Sequence, residues 1–456
     1  MPIKRLLPLF LALELLSSIE NVYATVYLND ANTYSFTGGD SYYSIISTPI
    51  PASIPLTISY RLSNVDLKLG MTPKMIAVLW EAPSEVHLTG LKLSSKIAAN
   101  GFGKINLTTS SDGYSSGYIH LTPQILSVAP DPSVWTVSNI VISYILNADT
   151  QSSMQYQASQ LRSAFNTQTI AANFALNYDC NVFDLKGMCI SAGGRYTTID
   201  NPNINNSAAV VTLGYKVNSN IRVGAYLDQN INISKPTGID ISNNTPLMGL
   251  YAVWNKEQSG LGYQVRLANT YQDKDVRSTR TVFDTSEAGS GKSSLKSQSY
   301  LAELSYAFQY QDKTLVRPYA GLRYTHLKQK GYTEDTTDTV TDPLTVAALR
   351  DKSATALLGV KVNRTLTDKA TLTAQLGLEQ DLYHKVDNYS ATDLNDSELT
   401  AVAFNSNIKR TRPVASIGAF YDVTKTQRAS ATINYQQTPF QSTGSATAYF
   451  NYMIGF

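Results

Sequence analysis

Residues 369–380 read KATLTAQLGLEQ. On an extended chain, Ala370, Leu372, Ala374, Leu376 and Leu378 share one side, and Thr371, Thr373, Gln375, Gly377 and Glu379 share the other. This follows because successive Cβ atoms of a strand point to opposite faces. The same period recurs in IRVGAYLD at 221–228, SYLAELSYAFQY at 299–310 and RASATINYQQ at 428–437. About twelve such runs follow residue 176, near the length a tilted strand needs to cross a bilayer. The abundance of Tyr, 29 against 3 Trp, suits pleated structure.

The connections sort by parity. NSN, NKEQSG, YQDKT, LTDK and VTKTQ are short. NISKPTGIDISNNT, RSTRTVFDTSEAGSGKSSLK, GYTEDTTDTVTDP and NYSATDLNDSELTAVAFNSN are long and polar, with a shorter last loop near TPFQSTGS. A transmembrane barrel has tight turns on its periplasmic side and longer loops outside, whereas a soluble sandwich has no reason to sort loops this way. The expected fold is all-β: a 12-stranded antiparallel transmembrane β-barrel with an N-terminal pore helix, preceded by a small β-rich, sandwich-like domain. An even strand number places both barrel ends on one side.

The final run sets Ala448, Phe450, Tyr452, Ile454 and Phe456 on one face, and Thr447, Tyr449, Asn451, Met453 and Gly455 on the other. The first face is expected to meet lipid. The strand must also pair with the first one, since an open edge in hydrocarbon leaves backbone groups unsatisfied at several kcal/mol each. On the non-lipid parity lie Arg195, Lys216, Arg222, Asp228, Arg266, Glu303, Arg317, Arg323, Lys361 and Glu379. Facing lipid, each would cost about 2–4 kcal/mol at the midplane, so they are expected to line a wet lumen. That lumen fits one helix or an extended chain, not a folded domain.

Upstream the text changes. Residues 150–172, TQSSMQYQASQLRSAFNTQTIAA, contain no Gly or Pro and carry Met154, Ala158, Leu161 and Phe165 at helical spacing. They predict a helix of about 30 Å in a polar tunnel. Residues 25–149 are short apolar runs such as PLTISYRL, KMIAVLW and VWTVSNIVISYIL, broken by Pro, Gly, Asn and Ser. Residues 1–24 read as an export signal: Lys4 and Arg5, an apolar stretch from Leu6 to Leu16, and cleavage between Ala24 and Thr25. The expected organisation is therefore 1–24 signal, 25–149 β-rich domain, 150–175 helix and 176–456 barrel.

Formal net charge is +2, which disfavours nucleic acid as a partner. The two cysteines, Cys180 and Cys189, have no zinc spacing and can form a disulfide outside the cytoplasm. No metal or cofactor is expected. Gly39-Asp40-Ser41 has the letters of an esterase nucleophile block, but neither His87 nor His120 has an Asp three residues before it, so a turn is expected. His326 and His384 fall in the barrel region, away from any ligand-like cluster.

The polar helix, the strands and the terminal Phe together resemble the translocator domain of bacterial type V autotransporters. LNYDCNVFDLKGMCISAGGRYTTID at 176–200 looks like the opening of that domain, through Phe183, Asp184, Gly187, Gly194, Arg195 and Tyr196. The resemblance covers roughly residues 150 to 456. It implies a monomeric barrel in the outer-membrane lipid that carries an upstream passenger to the cell surface. It also implies contact with periplasmic chaperones and the barrel assembly machinery, which reads a carboxy-terminal signal at Phe450, Tyr452, Ile454 and Phe456. The passenger, crossing unfolded, is expected to be an adhesive or binding module for an unknown extracellular ligand, not an enzyme. Some members cleave their own helix at an Asn assisted by inward acids, which here would be Asn166 with Glu303 and Glu379. The alternative function is a passive porin-like channel with a periplasmic or plug domain.

Overall fold

The computed structural model describes the backbone of ten strands between Leu28 and Tyr144. It also describes residues 147–456, apart from 201–203, 242–244, 284–285, 338–339, 341, 394–398 and 439–442. The export-signal expectation, with Ala24 and Thr25, and the Gly39-Asp40-Ser41 turn lie outside the described residues.

Twelve strands form the wall. They are β1 (Met188–Ile199), β2 (Ile204–Lys216), β3 (Ile221–Ile233), β4 (Leu247–Asn255), β5 (Gly262–Thr279), β6 (Ser290–Gln309), β7 (Thr314–Gln329), β8 (Leu349–Thr365), β9 (Ala370–Val386), β10 (Thr411–Thr424), β11 (Gln427–Gln437) and β12 (Gly444–Gly455). Each pairs antiparallel with the next, and β1 pairs with β12 from Cys189↔Gly455 to Ile199↔Ser445. The barrel is closed, and no wall strand is left with a free edge. Phe456 extends the seam, its amide donating to the Met188 carbonyl at 3.0 Å.

The outward positions are apolar. Leu376 is 70% exposed, and Leu322, Leu358, Ile417 and Phe450 all exceed half. On the last strand Phe450, Ile454 and Phe456 are exposed and Tyr452 is half-buried, while Thr447, Asn451 and Met453 are buried. The strands outrun the membrane-crossing length expected of them. β6 has 20 residues and β5 has 18, so parts of the polar connections read from the sequence are strand. The connection from β1 to β2, residues 200–203, is short although it lies at the long-loop end.

Helix α1 (Asn147–Ala175) threads the barrel, with Ala175 toward the short-turn end where both ends of the wall lie. Its 29 residues correspond to about 43 Å. It starts three residues earlier and is longer than expected. Its setting also differs from the expected polar tunnel. Met154, Ala158, Leu161, Ala164 and Phe165 are all buried, together with Ile239, Val276, Leu344, Val346, Leu399 and Phe404 of the rim and loops. The long connections therefore supply an apolar collar around the upper half of the helix. A small sheet of Tyr332–Thr333, Thr345–Val346 and Ala391–Thr392 helps to build it. Phe165 meets Phe404 edge-on at 5.1 Å between ring centroids, and the Arg162 guanidinium lies over the Phe404 ring. These residues were legible as a helical stripe, but their partners sit in loops that read as polar.

The N-terminal strands form two antiparallel sheets. One orders Leu28–Asp30, Val134–Tyr144, Pro55–Ser63 and Phe102–Thr108, with Tyr34–Thr37 also on Val134–Tyr144. The other orders Tyr43–Ser47, Gly117–Gln124, Lys74–Glu81 and Val86–His87, with Lys92–Leu93 also on Lys74–Glu81.

If the outward row of β9 lies in hydrocarbon, Leu376→Arg lowers unfolding stability by roughly 2–4 kcal/mol. Urea titration of vesicle-inserted protein measures this, and an unchanged midpoint would place Leu376 outside the lipid.

Candidate functional site: the helix-filled bore

The bore is built from the inward residues of the strands. Charged side chains, costly against lipid, are held here mostly by ion pairs and hydrogen bonds to one another. Around the lower helix they form a clamp. The carbonyl oxygens of Leu176 and Tyr178, just past the helix C-terminus, accept hydrogen bonds from Arg266 at 2.9 and 2.7 Å. A cation is favoured at that end of the helix dipole. Asp179 receives Arg222 at 2.6 Å and Arg266 at 3.5 Å. Burial alone would raise the Asp179 carboxyl, but Arg222 and Arg266 outweigh it and hold it below the usual carboxylate range.

One residue earlier, the Tyr178 hydroxyl donates to Asp228 at 2.7 Å. Burial and the neighbouring Asp228 carboxylate push its phenol well up, so it stays protonated as a donor. Arg195 holds Asp228 bidentately, at 2.8 and 3.0 Å. The Tyr178 ring is surrounded by Phe174, Tyr226 and Tyr449. Two of the wall tyrosines reach over glycines of the adjacent strand. A Cβ at Gly249 would strike Tyr226, and one at Gly224 would strike Tyr251. Only glycine leaves room for the rings. The Tyr251 hydroxyl in turn accepts the Cys180 amide at 3.0 Å. Cys180 and Cys189 are joined as a disulfide, with Cα atoms 5.8 Å apart, tying the linker to the start of β1.

The opposite wall carries an ion-pair ladder. Lys361 meets Glu303 at 2.6 Å and lies over the Tyr319 ring. Arg323 holds Glu379 bidentately, at 2.8 and 2.6 Å. Arg412 bridges Glu379 and Asp381, and His384 sits between Asp381 and Asp351 at 2.8 Å from each. Arg317 donates to Ser305 and to the Gly260 carbonyl of a turn. The helix joins this wall through Asn173, whose side-chain oxygen accepts from Ser299 and Thr325, and through Gln168, which donates to Ser297. Lys274 is 2% exposed and its ammonium meets no partner among the described residues.

Of the ten charges assigned to the lumen, nine take part in these bore contacts. Lys216 does not: it is exposed at the last position of β2, where the strand leaves the barrel. Asp179, Asp381, His384, Arg412 and Lys274 were missed. Asp179 lies in the linker, where no strand parity applies. The register shifts between Ala354 and Thr355, and Leu382 and Tyr383 are both exposed before His384 turns inward. That bulge reverses the parity of the following residues. His384 therefore lies within a charged cluster that sequence spacing did not reveal. Asn166 is buried, with its side-chain oxygen unpartnered among the described residues, whereas Glu303 and Glu379 are held by Lys361, Arg323 and Arg412.

A family model described as autotransporter beta-domain matches residues 190–436. Outer membrane protein A of Rickettsia rickettsii is 29% identical over 182 residues, 38% of this chain and 8% of that protein. The protein of the same name from Rickettsia conorii is 28% identical over 180 residues, 39% of this chain and 9% of its own length. The match thus spans under a tenth of either relative. Among solved structures, the translocator domain of autotransporter NalP from Neisseria meningitidis has a TM-score of 0.48 at 18% identity, covering 66% of this chain and 98% of that one.

A group with a depressed pKa stabilises above its unfolded value and loses that contribution as pH falls. The Asp179 clamp is therefore intact at neutral pH and weakens below about pH 4. Asp179→Asn costs up to about 3 kcal/mol of linker stability at pH 7, less than for a fully buried pair. Hydrogen exchange at residues 176–182 measures both effects, and the variant should lose the acid dependence. Intact mass should gain about two hydrogens on reduction, as the Cys180–Cys189 disulfide requires; no gain would mean free thiols.

Proposed function

The chain belongs to the autotransporter β-domain family, and on that premise we propose that its barrel carries residues 25–149 across the outer membrane and holds them at the cell surface. The protein is placed in the outer membrane by that family. The observation that carries the reading is one helix running through a closed bore whose two wall ends lie at the same, short-turn side. A chain leaving the helix N-terminus then emerges at the long-loop side, which is the outside. Residues 1–24 serve as the export signal, removed after Ala24. A bore of this width passes extended chain, so the passenger crosses unfolded and folds on arrival.

Glu303, Arg317, Arg323, Lys361 and Glu379 are engaged within the wall and its turns, while Arg195, Arg222, Asp228 and Arg266 act on the linker rather than on a substrate. The latter four hold the last segment to pass and leave the pore filled. A filled bore favours this reading over a passive channel. The passenger acts as an adhesive or binding module toward an extracellular ligand. Periplasmic chaperones and the barrel assembly machinery receive the chain, the latter through Phe450, Tyr452, Ile454 and Phe456, and the barrel works as a monomer. Glu303 and Glu379 are engaged by cations, so they are poorly placed to assist cleavage at Asn166, and the passenger stays attached.

Protease added to intact cells should remove an epitope placed within residues 25–149 and leave a membrane-embedded fragment of about 30 kDa. Protection until the outer membrane is permeabilised would put that segment in the periplasm and favour the channel reading. Recovery of free passenger from wild-type medium, abolished by Asn166→Ala, would contradict the retained attachment.

A further inference from the structure

On the outer wall of β6–β9 the cross-strand register stacks three rows. The lowest is Tyr300↔Tyr324↔Ala354↔Tyr383. Its exposed tyrosines mark an interfacial belt. Two residues further toward the long loops lies Gln298↔His326↔Lys352↔Lys385, and two further again Lys296↔Lys328↔Arg350. Each step is about 7 Å along the strand. Side chains directly opposite one another lie about 5 Å apart at Cβ, where like charges repel. Asp273 neutralises Lys296 at 3.0 Å, and Asp387, whose amide donates to the Arg350 carbonyl at 2.9 Å, closes the upper row, but Lys328, Arg350, Lys352 and Lys385 make no side-chain ion pair among the described residues. Four other wall strands lack this pattern. At the corresponding ends of β11, β12, β1 and β2 the outward residues are Gln437, Ala446, Thr198 and Asn205.

Below these cations runs an apolar groove on the lipid face. Ala302 and Ala354 form its floor, and Tyr300, Leu322, Tyr324 and Leu382 its sides. An apolar slot ending beneath unneutralised cations at headgroup height is complementary to one molecule with both parts. We propose that the β6–β9 wall is a binding site for a phosphate-bearing, acylated lipid of the outer leaflet. Its phosphates lie between Lys328, Arg350 and Lys352, with acyl chains in the groove. Arg350 can grip a phosphate bidentately while the lysines act as point charges. The inference rests on the barrel's membrane placement and not on what the passenger does.

The test uses the full chain in dodecyl maltoside, with retained lipid counted by native mass spectrometry. The probes are a diphosphorylated, acylated glucosamine disaccharide and its phosphate-free counterpart. The wild type should retain the phosphorylated probe, and millimolar inorganic phosphate should not displace it. K328Q/R350Q/K352Q should bind it roughly a hundredfold more weakly, from about 1 kcal/mol per cation. K313Q, altered in a turn at the other end, should bind normally. Heat-modifiable electrophoretic migration checks that each variant is folded. Should the triple variant fail that check, the phosphate-free probe on wild type decides alone, and it should bind far more weakly. Equal retention by the triple variant, or of the phosphate-free lipid, overturns the proposal. So does displacement by inorganic phosphate, which would mean a small-anion site, or equal affinity for acyl-free heparin, which would mean a soluble-polyanion surface.

Discussion

Hydrocarbon offers no hydrogen bond to a peptide group, and that constraint shapes the whole wall. Every strand segment in lipid must pair on both sides, so β1 and β12 must meet. Closure requires that the first and last strands meet, the strand number sets the width of the bore, and this bore accepts one helix. The alternation in residues 369–380 is the local expression of the same constraint, with Leu372, Leu376 and Leu378 turned to lipid and Thr371 and Glu379 buried.

The bore then poses the opposite problem. Its polar side chains are desolvated by the helix, and an isolated buried charge is costly. The solution is pairing: Arg195 with Asp228, Arg323 with Glu379, and Arg412 with Asp381. Such pairs add little net stability because desolvation consumes most of the Coulomb gain. Their effect lies in position. Arg266 takes the carbonyls at the helix end and Tyr178 takes Asp228, so the linker has one seat. At the other end an apolar collar closes on Phe165. The helix is thus gripped by charge and hydrogen bonds below, and by packing above.

The wall was legible because lipid enforces a period of two wherever a strand crosses it. The inward charges followed from the same count, since charges cannot face lipid. The count failed where lipid stops enforcing it: at Lys216, beyond the bore, and at His384, past the bulge in β9. The helix was legible from Met154, Ala158, Leu161 and Phe165, but its apolar collar was not. Leu344, Leu399 and Phe404 are scattered through polar loop text with no period, and only tertiary packing brings them together. Asp179 was hidden for a similar reason, because a linker has no parity and its role depends on Arg222 and Arg266 from distant strands.

The central claim is that the helix lies inside a closed wall, with Asn173 against β6. Its most direct test is the double variant Asn173→Cys/Ser299→Cys in the full chain, in native outer membranes. The account predicts an oxidative crosslink between the two thiols, seen as a reductant-sensitive change in electrophoretic mobility. If both thiols instead remained uncrosslinked and reacted freely with a bulky hydrophilic maleimide, the helix would lie outside the bore and the account would be contradicted.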